Sequence, residues 1–209
     1  MRQFKNHDIT RDPVHVIYRL ENSIPRQNLI RLREAYQQNL LQLEIGDNSF
    51  QDQYSQPPMD KESRLQEEFQ LRYDQELHTI NQGPHLLANL EIKRIIIDDW
   101  IHFQSKGVLE IYAISVMSNH VHVLLASCNP WERIDFKKFM ASRKRFTARK
   151  INQVLKRRGK LWARTSFDRT CRKNQFGTVF NYVINNPLKA GLTNDPISWK
   201  GNYINPNFL

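Results

Sequence analysis

The feature that most restricts the fold of this chain is a pair of alternating apolar segments separated by two turn-forming residues. Leu109 to Met117 alternates like a half-buried strand, Ser118-Asn119 interrupts it, and His120 to Ala126 resumes the alternation. A parallel pair needs a crossover of a dozen residues or more, so these strands lie antiparallel in a tight hairpin. Helical patterns flank them. Between His85 and Gln104, Leu86, Leu87, Leu90, Ile92, Ile95, Ile96, Trp100 and Ile101 form a strongly apolar stripe, and Gly107 ends it. Between Phe136 and Arg158, residues Phe136, Phe139, Met140, Phe146, Ile151, Val154 and Leu155 are available for burial, and Arg158-Gly159 stops the helix.

The remaining segments extend the same plan. Val14 to Leu20 is rich in β-branched and aromatic residues and reads as a strand, and a short strand is expected around Phe167 to Arg172. A last helix spans about Asn174 to Asn186, closed by Pro187, whose ring disfavours helical geometry in the residue before it. Residues 24 to 84 look like an inserted helical hairpin. Apolar positions recur at helical spacing from Arg26 to Leu43, a second charged helix covers about Lys61 to Thr79, and between them lies a polar tip with Pro57-Pro58. The resulting order, β, helical insertion, α, β, β, α, β, α, is an α+β fold of ferredoxin-like type, with an antiparallel sheet and helices. A length of 209 residues suits one such domain, 1–209, carrying the 24–84 insertion.

Composition removes several classes. Mean hydropathy is −0.64 and no apolar run approaches the roughly 18 to 20 residues that cross a bilayer, so no membrane association is expected. The start, MRQFKNHDITRDP, lacks an apolar signal core, and a cytoplasmic location is expected. Cys128 and Cys171 are too few for a disulfide scaffold and read as free thiols. Charge is the informative quantity. Of 31 basic and 21 acidic residues, eleven basic ones and no acidic one fall between Phe136 and Lys160: Lys137, Lys138, Arg143, Lys144, Arg145, Arg149, Lys150, Lys156, Arg157, Arg158 and Lys160. Elsewhere the chain is close to neutral, so the field is focused on one helix and suits a polyanion such as nucleic acid.

Two constellations could carry chemistry. His120-Val121-His122 on a strand sends both imidazoles to one sheet face, about 7 Å apart, where they can share a cation. In the last helix, Phe176, Val179, Phe180, Val183 and Ile184 mark the buried stripe, and Tyr182 and Asn186 stack one turn apart at its margin. Standing alone, the tyrosine reads as an amphipathic core residue and the asparagine as a helix C-cap.

Taken together these residues resemble a known family. Ser115-Val116-Met117-Ser118-Asn119-His120-Val121-His122-Val123-Leu124-Leu125 resembles the HUH motif of the single-tyrosine transposases. Tyr182-Val183-Ile184-Asn185-Asn186-Pro187-Leu188-Lys189-Ala190-Gly191-Leu192 is similar to the tyrosine motif of their REP-associated branch, and Gly159-Lys160-Leu161-Trp162 and Ser166-Phe167-Asp168-Arg169 also match that branch. The resemblance spans about residues 86 to 195 plus the first strand. It implies a ferredoxin-like HUH nuclease fold and single-stranded DNA as substrate, in hairpins formed by palindromic repeats. It further implies a nucleoid-associated setting, a monomer or homodimer, and Tyr182 as a nucleophile that forms a 5′-phosphotyrosine. By the same resemblance His120, His122 and Asn186 hold Mg²⁺ or Mn²⁺, with His120 and His122 counted with Tyr182 among the catalytic residues. These donors are neutral, so the substrate phosphate and the metal should bind cooperatively. The role of the 24–84 insertion does not carry over.

Within this reading Lys137, Lys138, Arg143, Lys144, Arg145, Arg149, Lys150, Arg157 and Arg158 contact DNA phosphates. Phe146, Trp131 and Trp162 read as core residues unless exposed, when they would stack on unpaired bases. Lys189 and a metal-bound water are the candidates for assisting the Tyr182 phenol. Asn119 is read as a hairpin-turn residue, and His15 and His102 as structural. Ser166 and Asp168 have no nearby histidine in sequence, which leaves a Ser/His/Asp hydrolase without support. Two alternatives have other chemistry: a catalytically silent DNA-hairpin-binding protein descended from such a transposase, and an RNA-binding sandwich, whose strands would display aromatics where this chain places histidines.

Overall fold

The computed structural model describes residues 9–10, 12–46, 61–79 and 83–208. The chain divides into two compact units, Met1–Ser23 with Gly83–Leu209, and Ile24–Gln82. The second unit holds two helices, α1 (Arg26–Gly46) and α2 (Lys61–Thr79). They run antiparallel, with Tyr36 against Phe69 (ring centroids 5.1 Å apart) and Asn28 Nδ2 donating to Glu76 Oε2 at 2.7 Å. The polar tip with Pro57-Pro58 lies outside the described residues.

The first unit is built on β1 (Val14–Arg19), α3 (Leu90–Ser105), β2 (Leu109–Val116), β3 (His120–Ser127), α4 (Phe136–Val154), β4 (Phe167–Thr170), α5 (Phe176–Ile184), α6 (Asn186–Lys189) and β5 (Asn202–Ile204). Its strands form one antiparallel sheet in the order β4-β1-β3-β2-β5. The first four give the ferredoxin-like arrangement, and β5 extends it at the β2 edge. The hairpin closes as its spacing dictates: Met117 N donates to His120 O at 2.9 Å across Ser118-Asn119.

Side chains divide cleanly between the two sheet faces. Val16, Tyr18, Val121, Val123, Ile114 and Val116 join Ile92, Ile96 and Trp100 of α3 and Met140 and Ile151 of α4 in the larger core. On the opposite face, Ala113 and Leu124 lie with Cys171 under Val179, Val183 and Ile184 of α5. A bulge between Ile111 and Ala113 shifts the pleat of β2, so Leu109 and Ile111 face the larger core while Ala113 faces α5. Cys128 and Cys171 are free thiols, and burial pushes that of Cys171 up to about 11.

Several boundaries differ from expectation for identifiable reasons. Helix α3 starts at Leu90 rather than His85, because Asn89 caps it: its Oδ1 accepts from Glu91 N at 2.8 Å, after a 3₁₀ turn over Leu86–Ala88. Helix α4 ends at Val154, and the chain leaves helical geometry at Lys156 (φ 49°), ahead of Gly159 (φ 98°). Pro187 does not close the last helix. It stands in the first turn of α6, where no backbone N–H is required, so Asn186 is not a terminal cap but begins a new helical turn. Strand β5 has no sequence signature; it is brought beside β2 by Gly201, whose O accepts from Val116 N at 2.7 Å.

Candidate active site

Register decides which groups meet. Cross-strand partners share a face, and β1 pairs with β3 so that Arg19 lies opposite His120, Ile17 opposite His122 and His15 opposite Leu124. His15, Ile17 and Arg19 therefore share the α5 face with His120 and His122. Strand β4 adds Arg169, paired with His15, to that face, whereas Asp168 pairs with Val16 on the other. This leaves Asp168 remote from the imidazoles and removes the Ser/His/Asp arrangement.

The three histidines are almost fully buried and packed on one another. The His120 and His122 ring centroids are 4.8 Å apart, edge to face; those of His15 and His122 are 5.3 Å apart, stacked within 19°. His15 Nε2 and His122 Nδ1 are 3.1 Å apart, one donating to the other. His120 Nδ1 donates to Asn119 Oδ1 at 2.6 Å. The Nε2 atoms of His120 and His122 are both buried.

Helix α5 brings its tyrosine to this cluster. Val179, Val183 and Ile184 seat the helix on the sheet, which turns Tyr182 toward the imidazoles: its ring is edge-on to His122 at 6.1 Å and to His15 at 5.9 Å. One turn on, Asn186 is fully buried; its Nδ2 donates to Tyr182 O at 3.0 Å, and its Oδ1 has no hydrogen-bond partner among the described residues. Such an orphaned carboxamide oxygen is costly unless something else engages it. Lys189 Nζ lies 4.2 Å from the centre of the Tyr182 ring. With the buried Arg19 and Arg169, it gives the site a basic border.

The basic helix occupies the other face of the sheet, packed with α3. The segment that follows it, 161–163, pairs with the end of β1, which lies opposite the start of β3: Ala163 N donates to Arg19 O at 2.9 Å, and Glu21 N to Leu161 O at 2.8 Å. Lys137, Lys138, Arg145, Arg149, Lys150 and Arg158 are exposed along α4 and just beyond it. Arg149, Arg157 and Arg158 line a shallow concavity with Lys156, Asn152 and Gly159. Two of the expected DNA-binding residues turn inward instead. Arg143 Nη1 donates to Asp99 Oδ1 at 2.8 Å, and its guanidinium lies 4.5 Å from the centre of Phe103. Lys144 Nζ donates to Ala163 O at 3.1 Å, and its pKa falls to about 8, chiefly through burial, with Arg19 pushing the same way.

The aromatics also separate. Trp162 is buried, its Nε1 donating to Thr147 Oγ1 at 3.0 Å, and is no stacking platform. Phe146 is half-buried beside Arg143 and Lys150. Trp131, by contrast, is 93% exposed. Two residues of the cluster were not legible as such in the sequence. His15 is a lone histidine in an apolar strand until the register is known, and Asn119 does more than turn the hairpin. The alternation that placed His120 and His122 on one face is the signal that, applied across to β1, would have added His15.

The site is thus a His-x-His strand under a tyrosine-bearing helix, on an antiparallel sheet of ferredoxin-like order. Residues 89–186, from the α3 cap to Asn186, match the model of the family described as IS200-like transposases. A solved structure of a REP-associated tyrosine transposase bound to a REP hairpin is similar over 95% of this chain and 80% of that one, with 12% identity and a TM-score of 0.48. No curated protein matches the chain in sequence. Among the described residues, no helix is long and apolar enough to cross a membrane.

Proposed function

We propose that this chain is a metal-dependent single-stranded DNA endonuclease and strand transferase that uses Tyr182 as its nucleophile. One observation carries the reading: the Tyr182 ring lies against His122 and His15, and Asn186 follows one turn later with its Oδ1 buried and without a hydrogen-bond partner among the described residues. The donor set also fits a hard or borderline divalent cation. Two imidazole nitrogens and one carboxamide oxygen, all neutral, suit Mg²⁺ or Mn²⁺, and His120, His122 and Asn186 would hold it. When bound, the cation would polarise the scissile phosphate and offset charge on its non-bridging oxygens.

The chain's own groups perform the transfer. Tyr182 Oη attacks phosphorus and gives up its proton to solvent; an O–P bond forms, the bond from phosphorus to the 3′ oxygen breaks, and that oxygen takes up a proton from solvent and leaves as a free 3′-hydroxyl. The other product is a 5′-phosphotyrosine on Tyr182. Attack by a 3′-hydroxyl of another strand reverses the same steps, so joining needs no nucleotide cofactor. A phenol of ordinary pKa, about 10, is protonated at neutral pH and needs help to ionise. The Lys189 ammonium, held against the ring, favours the electron-rich phenolate. The exposed basic row of α4 would hold phosphates of the bound strand, and Trp131 offers an accessible face for an unpaired base.

The test is a denaturing gel. Labelled single-stranded DNA that forms a palindromic hairpin is incubated with the protein and Mn²⁺, then boiled in detergent. Wild type should leave a retarded covalent band, and Tyr182→Phe none, with binding nearly intact. An undiminished band in Tyr182→Phe would reject the assignment, and full cleavage in excess EDTA would reject the metal. Binding without any wild-type adduct would point instead to a silent hairpin-binding descendant.

A further inference from the structure

We propose that His15 and Asn119 are positioning residues that hold His122 and His120 with the proton on Nδ1, leaving both Nε2 lone pairs for a divalent cation. The inference rests on the reading of those two imidazoles as metal ligands. It begins with Asn119. A carboxamide oxygen can only accept, so the 2.6 Å contact places the proton of His120 on Nδ1, and in the neutral ring Nε2 is then the lone-pair nitrogen. Asn119 is 2% exposed, so water does not compete for this contact.

His15 does the same for His122 from across the sheet. Ile17 is the direct partner of His122, which makes His15 its diagonal neighbour on the same face, within reach of an imidazole. Both rings are fully buried and stacked, and His15 Nε2 is 3.1 Å from His122 Nδ1. With His122 Nδ1–H donating and His15 Nε2 accepting, His122 and His120 carry the same tautomer. Metal-bound histidines commonly give their second N–H to a carboxylate or carbonyl, which fixes the tautomer and aims the ring. Here the acceptors are an imidazole and an amide. Both are neutral, so the ligands are oriented without negative charge being added to a site meant for phosphate.

Two measurements test this. In the metal-free wild-type protein at about pH 8.5, above the ordinary imidazole range, long-range ¹H–¹⁵N correlation spectra report the tautomer of each ring directly. We expect protonated Nδ1 and unprotonated Nε2 for both His120 and His122; a protonated Nε2 on either ring overturns the proposal for that ring. Separately, Mn²⁺ alone is titrated into the protein and followed by electron paramagnetic resonance, with thermal melts as a check on folding. His15→Leu and Asn119→Ala should bind Mn²⁺ about ten- to a hundredfold more weakly. His15→Gln, whose carbonyl can take the place of Nε2, should bind within a few-fold of wild type. Unchanged affinity in His15→Leu overturns the proposal. Should His15→Leu fail to fold, the wild-type spectra and Asn119→Ala decide. If wild type itself binds no Mn²⁺, the ligand reading fails, and the tautomer measurement still judges the present inference.

Discussion

Arg143 ties α4 to α3, and its replacement by Met should reveal how much that tie matters. Its guanidinium is 2.8 Å from Asp99 Oδ1, with the two side chains 19% and 3% exposed. Burial raises the Asp99 carboxyl, and the opposing pull of Arg143 does not cancel it. The pair as a whole therefore adds little, but removing one member strands a buried charge, which costs roughly 3 to 5 kcal/mol. We take the low end, about 3 kcal/mol, because Asp99 can escape by taking up a proton and Met keeps some packing on Phe103. In a chain of this size that lowers the melting temperature by roughly 6 to 12 °C. The sign with pH follows: the ionised carboxylate is the penalised form, so the deficit is largest above the raised pKa and shrinks as pH falls through it. Asp99→Leu combined with Arg143→Met should return to within about 1 kcal/mol of wild type, since an apolar pair can replace a buried ion pair. Urea denaturation of the four proteins measures the cycle. An Arg143→Met variant within about 0.5 kcal/mol of wild type, or one with normal stability and weakened DNA binding, would refute the reasoning and return Arg143 to the DNA interface.

Three further outcomes are expected. Lys144→Met should stabilise the protein at pH 7 by about 1 to 2 kcal/mol, the burial cost relieved less the lost hydrogen bond to Ala163 O. The cost of Lys144 is complete below about pH 8 and fades toward the ordinary lysine value of 10.5, so wild type should close the gap over that interval in pH-dependent melts. Gly201→Ala should destabilise by about 1 to 3 kcal/mol, because a Cβ there would collide with Val116 O and Trp199 Nε1; a denaturation midpoint equal to that of wild type would contradict this. Arg145→Ala and Arg149→Ala should each reduce the salt dependence of single-strand binding, by about 0.7 in the log–log slope, with melting unchanged. Unaltered slopes in both would place the strand away from α4.

Strands β1, β2 and β3 were legible almost to the residue because short runs rich in apolar and β-branched residues, bounded by turn residues, mark strands of a buried sheet. Alternation along a strand put His120 and His122 on one face and helical phase put Tyr182 and Asn186 on one turn. What neither could supply was register, so His15, a single polar residue within Val14–Leu20, stayed indistinguishable from a core histidine. Strand β5, three half-buried residues, has no periodicity to read. The inward turn of Arg143 and Lys144 was readable in principle. Phe136, Met140, Thr147 and Ile151 mark the buried stripe of α4, and Arg143 falls between Met140 and Thr147 with Lys144 a turn beyond Met140. Counting the eleven basic residues as one field hid that phase. Pro187 misled for a different reason: proline ends a helix and also begins one, and only the backbone around Asn186 shows which.

The account stands on Tyr182 becoming covalently joined to DNA. Tryptic cleavage after Lys173 and Lys189 yields a peptide, residues 174–189, in which Tyr182 is the single tyrosine. After reaction with a single-stranded hairpin substrate and Mn²⁺, nuclease trimming and mass spectrometry should find a nucleotide 5′-phosphate on that peptide, at Tyr182. The mass on any other peptide, or none on this one in a preparation that cuts the DNA, would contradict the account.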